Sequence, residues 1–231
     1  MSLQHRPPPL RGLGAVIFDF GGVLCFHPSS DRFAPIAELF GLSTSKLIPL
    51  FWARRAEYDA ARLDARDYWA SIAEAAGQKF DPASLSDLIP LEVDLWNDFD
   101  QRMLQWAADL RAHGLRTAIL SNLPRALGEK LRATPGFLDP FDHVTFSYEL
   151  GSIKPEPEIY RDAIRGLGLA PREALFLDDR LDNVEGARAV GLVAELFSTW
   201  EDLLLHTLPR YSLPAPEMDA RAEPAPMEGG L

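Results

Sequence analysis

The 231-residue sequence holds a single cysteine, Cys25, so no disulfide can form within the chain and no zinc cluster can be built on thiolates. That poverty fits a reducing compartment, and the expected location is the cytoplasm. Long apolar runs are missing too: nothing approaches the roughly 18 residues of a membrane-spanning helix, which excludes a helical membrane protein. Basic residues are scarce beside acidic ones, 23 Lys and Arg against 34 Asp and Glu, for a formal net charge of -11. Such a balance excludes nucleic acid as a partner, because phosphate backbones demand clustered Lys and Arg. No internal repeat is visible at a period of roughly 20 to 50 residues, so solenoids and propellers are excluded as well.

What is present is the composition of a soluble globular protein, 47% hydrophobic and 25% charged. The length suits one domain carrying an insertion, or two small ones. Residues 1–12 are Pro-rich and basic without an apolar segment, and are expected to be a tail rather than a targeting signal. The chain then reads Ala15-Val16-Ile17-Phe18-Asp19-Phe20-Gly21-Gly22-Val23-Leu24. Four apolar residues without alternation predict a strand buried on both faces, as in a parallel sheet, with Asp19 at its carboxyl end. Ligands of open α/β sheets bind at that edge, and Gly21-Gly22 lets backbone N–H groups approach an anion.

From residue 26 to 104 the spacing turns helical, and this stretch is expected to form a helical insertion. Helices are predicted around residues 33–40, 45–60 and 64–76, with a fourth region opening at Asp81-Pro82. Trp52, Tyr58, Trp69 and Trp96 are expected in its core, and Arg54 and Arg55 on its surface. After the insertion strand and helix alternate: strands at 117–120, 143–146, 174–177 and 192–196, helices at 101–112, 124–133, 157–167 and 183–190. This pattern implies parallel pairing through right-handed crossovers, hence a doubly wound, Rossmann-like α/β core made of residues 13–25 and 105–208. Residues 209–231 are Pro-rich and aperiodic and are expected to be disordered.

Three predicted strands end on polar groups, Asp19, Ser121-Asn122 and Asp178-Asp179, and a loop carries Lys154 ahead of Pro155. Parallel strands bring their carboxyl ends to one edge, so the four stations can converge. Asp19 could act as a nucleophile. Asp19 and Asp179 are hard oxygen ligands suited to Mg2+. Ser121, the N–H of Asn122 and the glycine turn are donors for phosphoryl oxygens, and Lys154 is a compact positive charge. Three carboxylates and a phosphate monoester against one lysine leave an excess of negative charge that a dication offsets.

Phe18-Asp19-Phe20-Gly21-Gly22-Val23-Leu24, then Ile119-Leu120-Ser121-Asn122, then Ile153-Lys154-Pro155, then Asp178-Asp179-Arg180-Leu181-Asp182-Asn183 resemble the four motifs of the haloacid dehalogenase-like hydrolase superfamily. The insertion is similar to that family's helical cap. Within the superfamily the chain most resembles the bacterial sugar phosphatases of the α-D-glucose-1-phosphate phosphatase type. The resemblance implies Asp19 as nucleophile and Mg2+ ligand, with the carbonyl of Gly21 and Asp179 as further ligands and Asn183 at the metal's water shell. It implies that Gly22, Ser121, Asn122 and Lys154 bind the phosphoryl group, and that Asp178 orients Lys154. The substrate implied is a small phosphorylated metabolite, with oligomeric state left open. Most family phosphatases carry a second Asp two residues after the nucleophile as general acid; here that position is Gly21. Two alternatives stay open: a 2-haloacid dehalogenase, and a binding protein that has lost its acid.

Overall fold

The computed structural model describes residues 12–216; the rest of the expected tails, 1–11 and 217–231, lies outside the described residues. The chain enters on β1 (Ala15–Phe18) and then makes five helices, α1 (Ala34–Leu39), α2 (Thr44–Ala53), α3 (Arg55–Asp59), α4 (Ala65–Ala75) and α5 (Leu85–Asp94). It continues through α6 (Gln101–Ala112), β2 (Arg116–Ser121), α7 (Arg125–Ala133), β3 (His143–Phe146), the single turn α8 (Ser147–Leu150) and α9 (Pro157–Leu167). It ends with β4 (Ala174–Asp178), α10 (Leu181–Ala189), β5 (Val193–Leu196) and the short helices α11 (Trp200–Asp202) and α12 (Leu208–Tyr211), joined by a π-helical turn over Leu203–Thr207.

The five strands form one parallel sheet in the order β3-β2-β1-β4-β5, with β1 at its centre. This is the doubly wound core expected from the alternation. The side-chain period of two explains why β1 reads as a continuous apolar run. Val16 and Phe18 face the core under α6, where Trp106 stands edge-on to Phe18 at 5.6 Å. Ala15 and Ile17 face the opposite core, packed by Ile159, Tyr160 and Ala163 of α9 and Val184 and Ala187 of α10. Phe18 pairs with Ile119 on one side and Leu177 on the other, so the next residue, Asp19, comes level with Asp178.

The insertion folds around Phe51, which is ringed by Phe33, Trp52, Tyr68 and Trp69 at centroid distances of 5.2 to 6.1 Å. Asp64 caps α4 of the insertion by accepting from the N–H of Asp67 at 2.8 Å, and Asp100 caps α6, which follows it, by accepting from that of Arg102 at 3.0 Å. The helix expected over 45–60 breaks at Arg54 (φ -120°, ψ 19°) into α2 and α3. Arg54 is exposed as expected. Arg55 is not: it is buried on Asp59 and Glu92, because those two carboxylates compensate its charge inside the insertion. Phe26 N–H donates to Asp98 O at 2.9 Å and Asp100 N–H to Leu24 O at 2.9 Å, so the insertion leaves and returns through one paired junction. α6, which starts just after this junction, packs on β2. The expected disordered tail also starts too early. Residues 209–216 are held by burial of Leu208 and Leu213 and by Trp106 Nε1 donating to Pro214 O at 3.0 Å.

Candidate active site

Asp19, at the end of the central strand, accepts from the N–H of Phe20 at 2.6 Å. Lys154 Nζ lies 2.7 Å from Asp19 Oδ1 and 2.7 Å from Asp178 Oδ2, and its side chain is 1% exposed. Asp178 is wholly buried and fully engaged: besides Lys154 it accepts from the N–H of Arg180 at 2.9 Å and from Asn183 Nδ2 at 2.9 and 3.1 Å. It therefore positions Lys154 rather than facing the cavity. Asn183 is buried with its amide on Asp178, and its carbonyl accepts from the Tyr160 hydroxyl at 2.8 Å.

Asn122 has a use that the sequence did not reveal. Its Oδ1 accepts from the N–H of Lys154 at 2.8 Å and its Nδ2 donates to Lys154 O at 3.0 Å. The side chain clasps the lysine loop, so any contact from Asn122 to a phosphoryl group falls to its backbone N–H. Ser121 is buried at the end of β2 and its hydroxyl has no hydrogen bond to the described residues. Gly21 lines the cavity, and Gly22 has a positive φ of +77°. A Cβ on Gly22 would fall 2.6 Å from Asp179 Cγ, so the close approach itself demands glycine.

Asp19, Asp178 and Asp179 offer oxygens within 4.8 Å of one another. Burial pushes the Asp19 carboxyl up to about 7, further raised by Asp178 and opposed by Lys154. Burial works against the charge of Lys154, yet Asp178 and Asp19 together raise it above its usual value. Three carboxylates around one ammonium form a hard, oxygen-rich, electron-dense set that fits a divalent cation of the Mg2+ kind. Asp19 and Asp179 are the members free to hold it.

His27, just beyond the glycine turn, faces this site. Its Nε2 sits 2.8 Å from Asp179 Oδ2, and that hydrogen bond raises its pKa above the usual value. A carboxylate fixed by a neighbour through one oxygen keeps the other for a metal, and such supporting bonds tune affinity. Replacing His27→Ala, which removes the bond, should weaken binding of a divalent cation such as Mg2+ about 10- to 100-fold. Titration calorimetry on the two proteins checks this; equal affinities would remove His27 from the site.

These groups form the floor of a cavity of about 480 Å3. Its roof comes from the insertion: Trp52, Arg55, Ala56, Asp59 and Trp96. The roof is tied to the floor. Ser147 Oγ donates to Asp59 O at 2.6 Å and accepts from the N–H of Leu123 at 3.0 Å, next to Asn122. Arg62 bridges to Glu156 and to Gly151 O beside the Lys154 loop. Trp96 presents its benzo edge to Gly21, and a Cβ there would stand 3.1 Å from Trp96 Cζ3. The Arg55–Asp59–Glu92 cluster escaped the sequence reading, although Arg55 and Asp59 at i and i+4 were a usable signal.

A family model for haloacid dehalogenase-like hydrolases matches residues 13–191. The sesquiterpene phosphatase astK of Aspergillus oryzae is 26% identical over 180 residues, covering 78% of this chain and 87% of that protein. Among solved structures, a haloacid dehalogenase-family enzyme of Bacteroides thetaiotaomicron, complexed with magnesium and inorganic phosphate, superposes with a TM-score of 0.66 at 21% identity, covering 83% of this chain and 99% of that one. L-2-haloacid dehalogenase of Xanthobacter autotrophicus shares the fold with a TM-score of 0.65 at 22% identity, covering 88% and 85%. No helix among the described residues is long and apolar enough to cross a membrane. With its motifs on one sheet edge and the family model spanning most of its length, the chain belongs to the haloacid dehalogenase-like hydrolases.

Proposed function

We propose that the protein is a Mg2+-dependent phosphatase of a small phosphorylated metabolite, a sugar phosphate with its phosphate at the anomeric carbon. The observation that carries this is the buried lysine bridging Asp19 and Asp178 at the base of the cavity, with Asp179 beside them. Asp19 attacks phosphorus and the sugar oxygen leaves, giving an aspartyl-phosphate that water then hydrolyses. Lys154, the N–H of Asn122, the Ser121 hydroxyl and the turn at Gly22 hold the phosphoryl oxygens. Asp19, Asp179 and the carbonyl of Gly21 would hold Mg2+, with Asn183 near its water shell, and the bound ion would supply charge neutralisation for the transferring group.

The anomeric preference comes from Gly21. No carboxylic acid stands at this position, and the neighbouring space is taken by an apolar ring edge whose indole N–H is buried elsewhere. The leaving oxygen departs with little protonation, which favours the more acidic anomeric hydroxyl. General acid help is typically worth about 10²- to 10⁴-fold, so its loss should make rate steeply sensitive to leaving-group acidity. The expected result is a strongly negative slope of log kcat/KM against leaving-group pKa over aryl, anomeric and primary-alkyl phosphates. Activity should vanish with EDTA and return with Mg2+. A flat slope would mean that another acid serves, and EDTA-resistant turnover would overturn the metal assignment.

A 2-haloacid dehalogenase would have to bind its substrate's carboxylate. The cations lining the cavity already face carboxylates: His27 faces Asp179, Lys154 faces Asp19 and Asp178, Arg55 faces Asp59 and Glu92, and Arg180 faces Asp182. The same saturation would bar a phosphate dianion but for the dication that Asp19 and Asp179 would hold; a dehalogenase uses no metal and leaves Asp179 without a use, which favours the phosphatase reading.

A further inference from the structure

The roof of the cavity carries a buried ion cluster that the phosphoryl chemistry does not use. Arg55 Nε donates to Asp59 Oδ1 at 2.6 Å, Arg55 Nη1 to Glu92 Oε1 at 2.8 Å, and the Tyr58 hydroxyl to Glu92 Oε2 at 3.0 Å. Glu92 is wholly buried behind the roof, whereas Arg55 and Asp59 line the cavity. The bond from Ser147 Oγ to Asp59 O fixes this pair relative to the loop that receives the phosphoryl group.

Charge restricts what the roof can accept. With each lining cation already matched, a second anionic group on a substrate meets no unmatched cation among the described residues and lies close to Asp59 and Asp182 instead. Hydrogen bonding restricts it in the opposite direction. A guanidinium carries five N–H groups, of which the two carboxylates take two, and Asp59 commits one oxygen to Arg55. An apolar occupant would expel water from these groups and leave them unpaired, whereas hydroxyls would satisfy both. Trp52 and Trp96 complete the roof, with ring centroids 6.4 Å apart and planes at 83°, a corner that fits the C–H surface of a ring.

We propose that the Arg55–Asp59 pair, cornered by Trp52 and Trp96, is a hydroxyl-reading subsite that selects the monophosphate of a neutral, polyhydroxylated ring. The assignment rests on the phosphatase reading above and adds that the leaving group bears hydroxyls and no second anion. Asp59 and Arg55 hydrogen-bond the ring hydroxyls, the tryptophans cover its C–H faces, and the phosphate points down to Asp19.

The test uses pairs of esters with matched leaving oxygens, so that leaving-group acidity cancels. The fastest of a panel of aldose 6-phosphates is compared with cyclohexylmethyl phosphate, and the fastest aldose 1-phosphate with its 1,6-bisphosphate, with p-nitrophenyl phosphate as reference and Mg2+ throughout. The hydroxylated ester should exceed its bare-ring counterpart in kcat/KM by at least about 100-fold. The monophosphate should exceed the bisphosphate by at least tenfold. Asp59→Asn should raise KM for the aldose phosphate at least tenfold more than it raises KM for cyclohexylmethyl phosphate. Trp52→Leu, at a half-exposed residue, should raise KM for the aldose phosphate and for cyclohexylmethyl phosphate alike, because both present C–H faces to it, and this holds even if Asp59→Asn folds poorly; an unchanged KM for both would overturn the tryptophan corner. Equal rates within the first pair, or a preferred bisphosphate, with p-nitrophenyl phosphate still hydrolysed, overturns the subsite alone. No Mg2+-dependent hydrolysis of p-nitrophenyl phosphate overturns the phosphatase reading and the subsite with it.

Discussion

Asp19→Asn should fold like the natural protein and turn over no phosphate ester. The substitution keeps the side chain's volume, its oxygen can still accept from the N–H of Phe20, and Lys154 keeps Asp178 at 2.7 Å. What disappears is the anionic carboxylate oxygen that attacks phosphorus. Removing a nucleophile from a site that works as a unit lowers kcat by roughly 10⁴- to 10⁶-fold. Stability should move the other way. Burial raises the Asp19 pKa from 3.8 to about 7, so between those values the folded protein binds more protons than the unfolded chain. Stability from this group is therefore highest below the unfolded pKa and declines as pH rises toward 7. Without metal, the amide variant should melt no lower than the natural protein at pH 8. Activity of a few percent in freshly prepared variant, with deamidation excluded by mass spectrometry, would sink the covalent mechanism.

Arg55→Ala should be among the most destabilising single changes in the insertion. The natural arginine compensates Asp59 and Glu92, both buried, and lies over the rings of Phe51, Trp52 and Tyr58. Removing one partner of a buried ion cluster strands the others and costs about 3–5 kcal/mol. Burial raises the Glu92 pKa from 4.5 to about 7 even with Arg55 opposing the shift, and burial likewise raises that of Asp59. Without the guanidinium both carboxyls would hold their protons more tightly still. The folded variant then takes up protons that the unfolded chain does not, so the deficit should be larger at pH 8 than at pH 5. Urea denaturation at the two pH values measures it. A pH-independent loss below 1 kcal/mol would show that the cluster's charges are not what holds α3 to α5.

The sheet and its polar edge were legible because their signals are local. A strand buried on both faces announces itself as an unbroken apolar run, and Asp19, Ser121 and Asp178 each sit where such a run stops. Convergence of the four stations then follows from parallel pairing alone. The roof was not legible in the same way. Trp96 reaches Gly21 across the whole insertion, and no short window of sequence encodes that approach. Arg55 reads as a surface charge until Glu92, on a different helix, is brought against it. Asn122 looks like a ligand by its place in the chain, but its amide matches the backbone of Lys154 on both sides, a fit visible only once the two loops meet. The stretch 209–216 read as part of an aperiodic tail for a related reason. Its prolines mimic a loop, and only the contact of Pro214 with Trp106 shows that the chain docks there.

The junction where Phe26 and Asp98, and Leu24 and Asp100, join by backbone hydrogen bonds gives the molecule a modular seam. Because the two cut ends already lie side by side, whatever is spliced between them adds little closure entropy and need not disturb the strand that carries Asp19. Lineages could exchange or lengthen the inserted helices while the catalytic edge stayed as it was. The links at Ser147 and Arg62 set the terms of such an exchange, since a transplanted roof would have to regain those contacts before it could sit over the same phosphate.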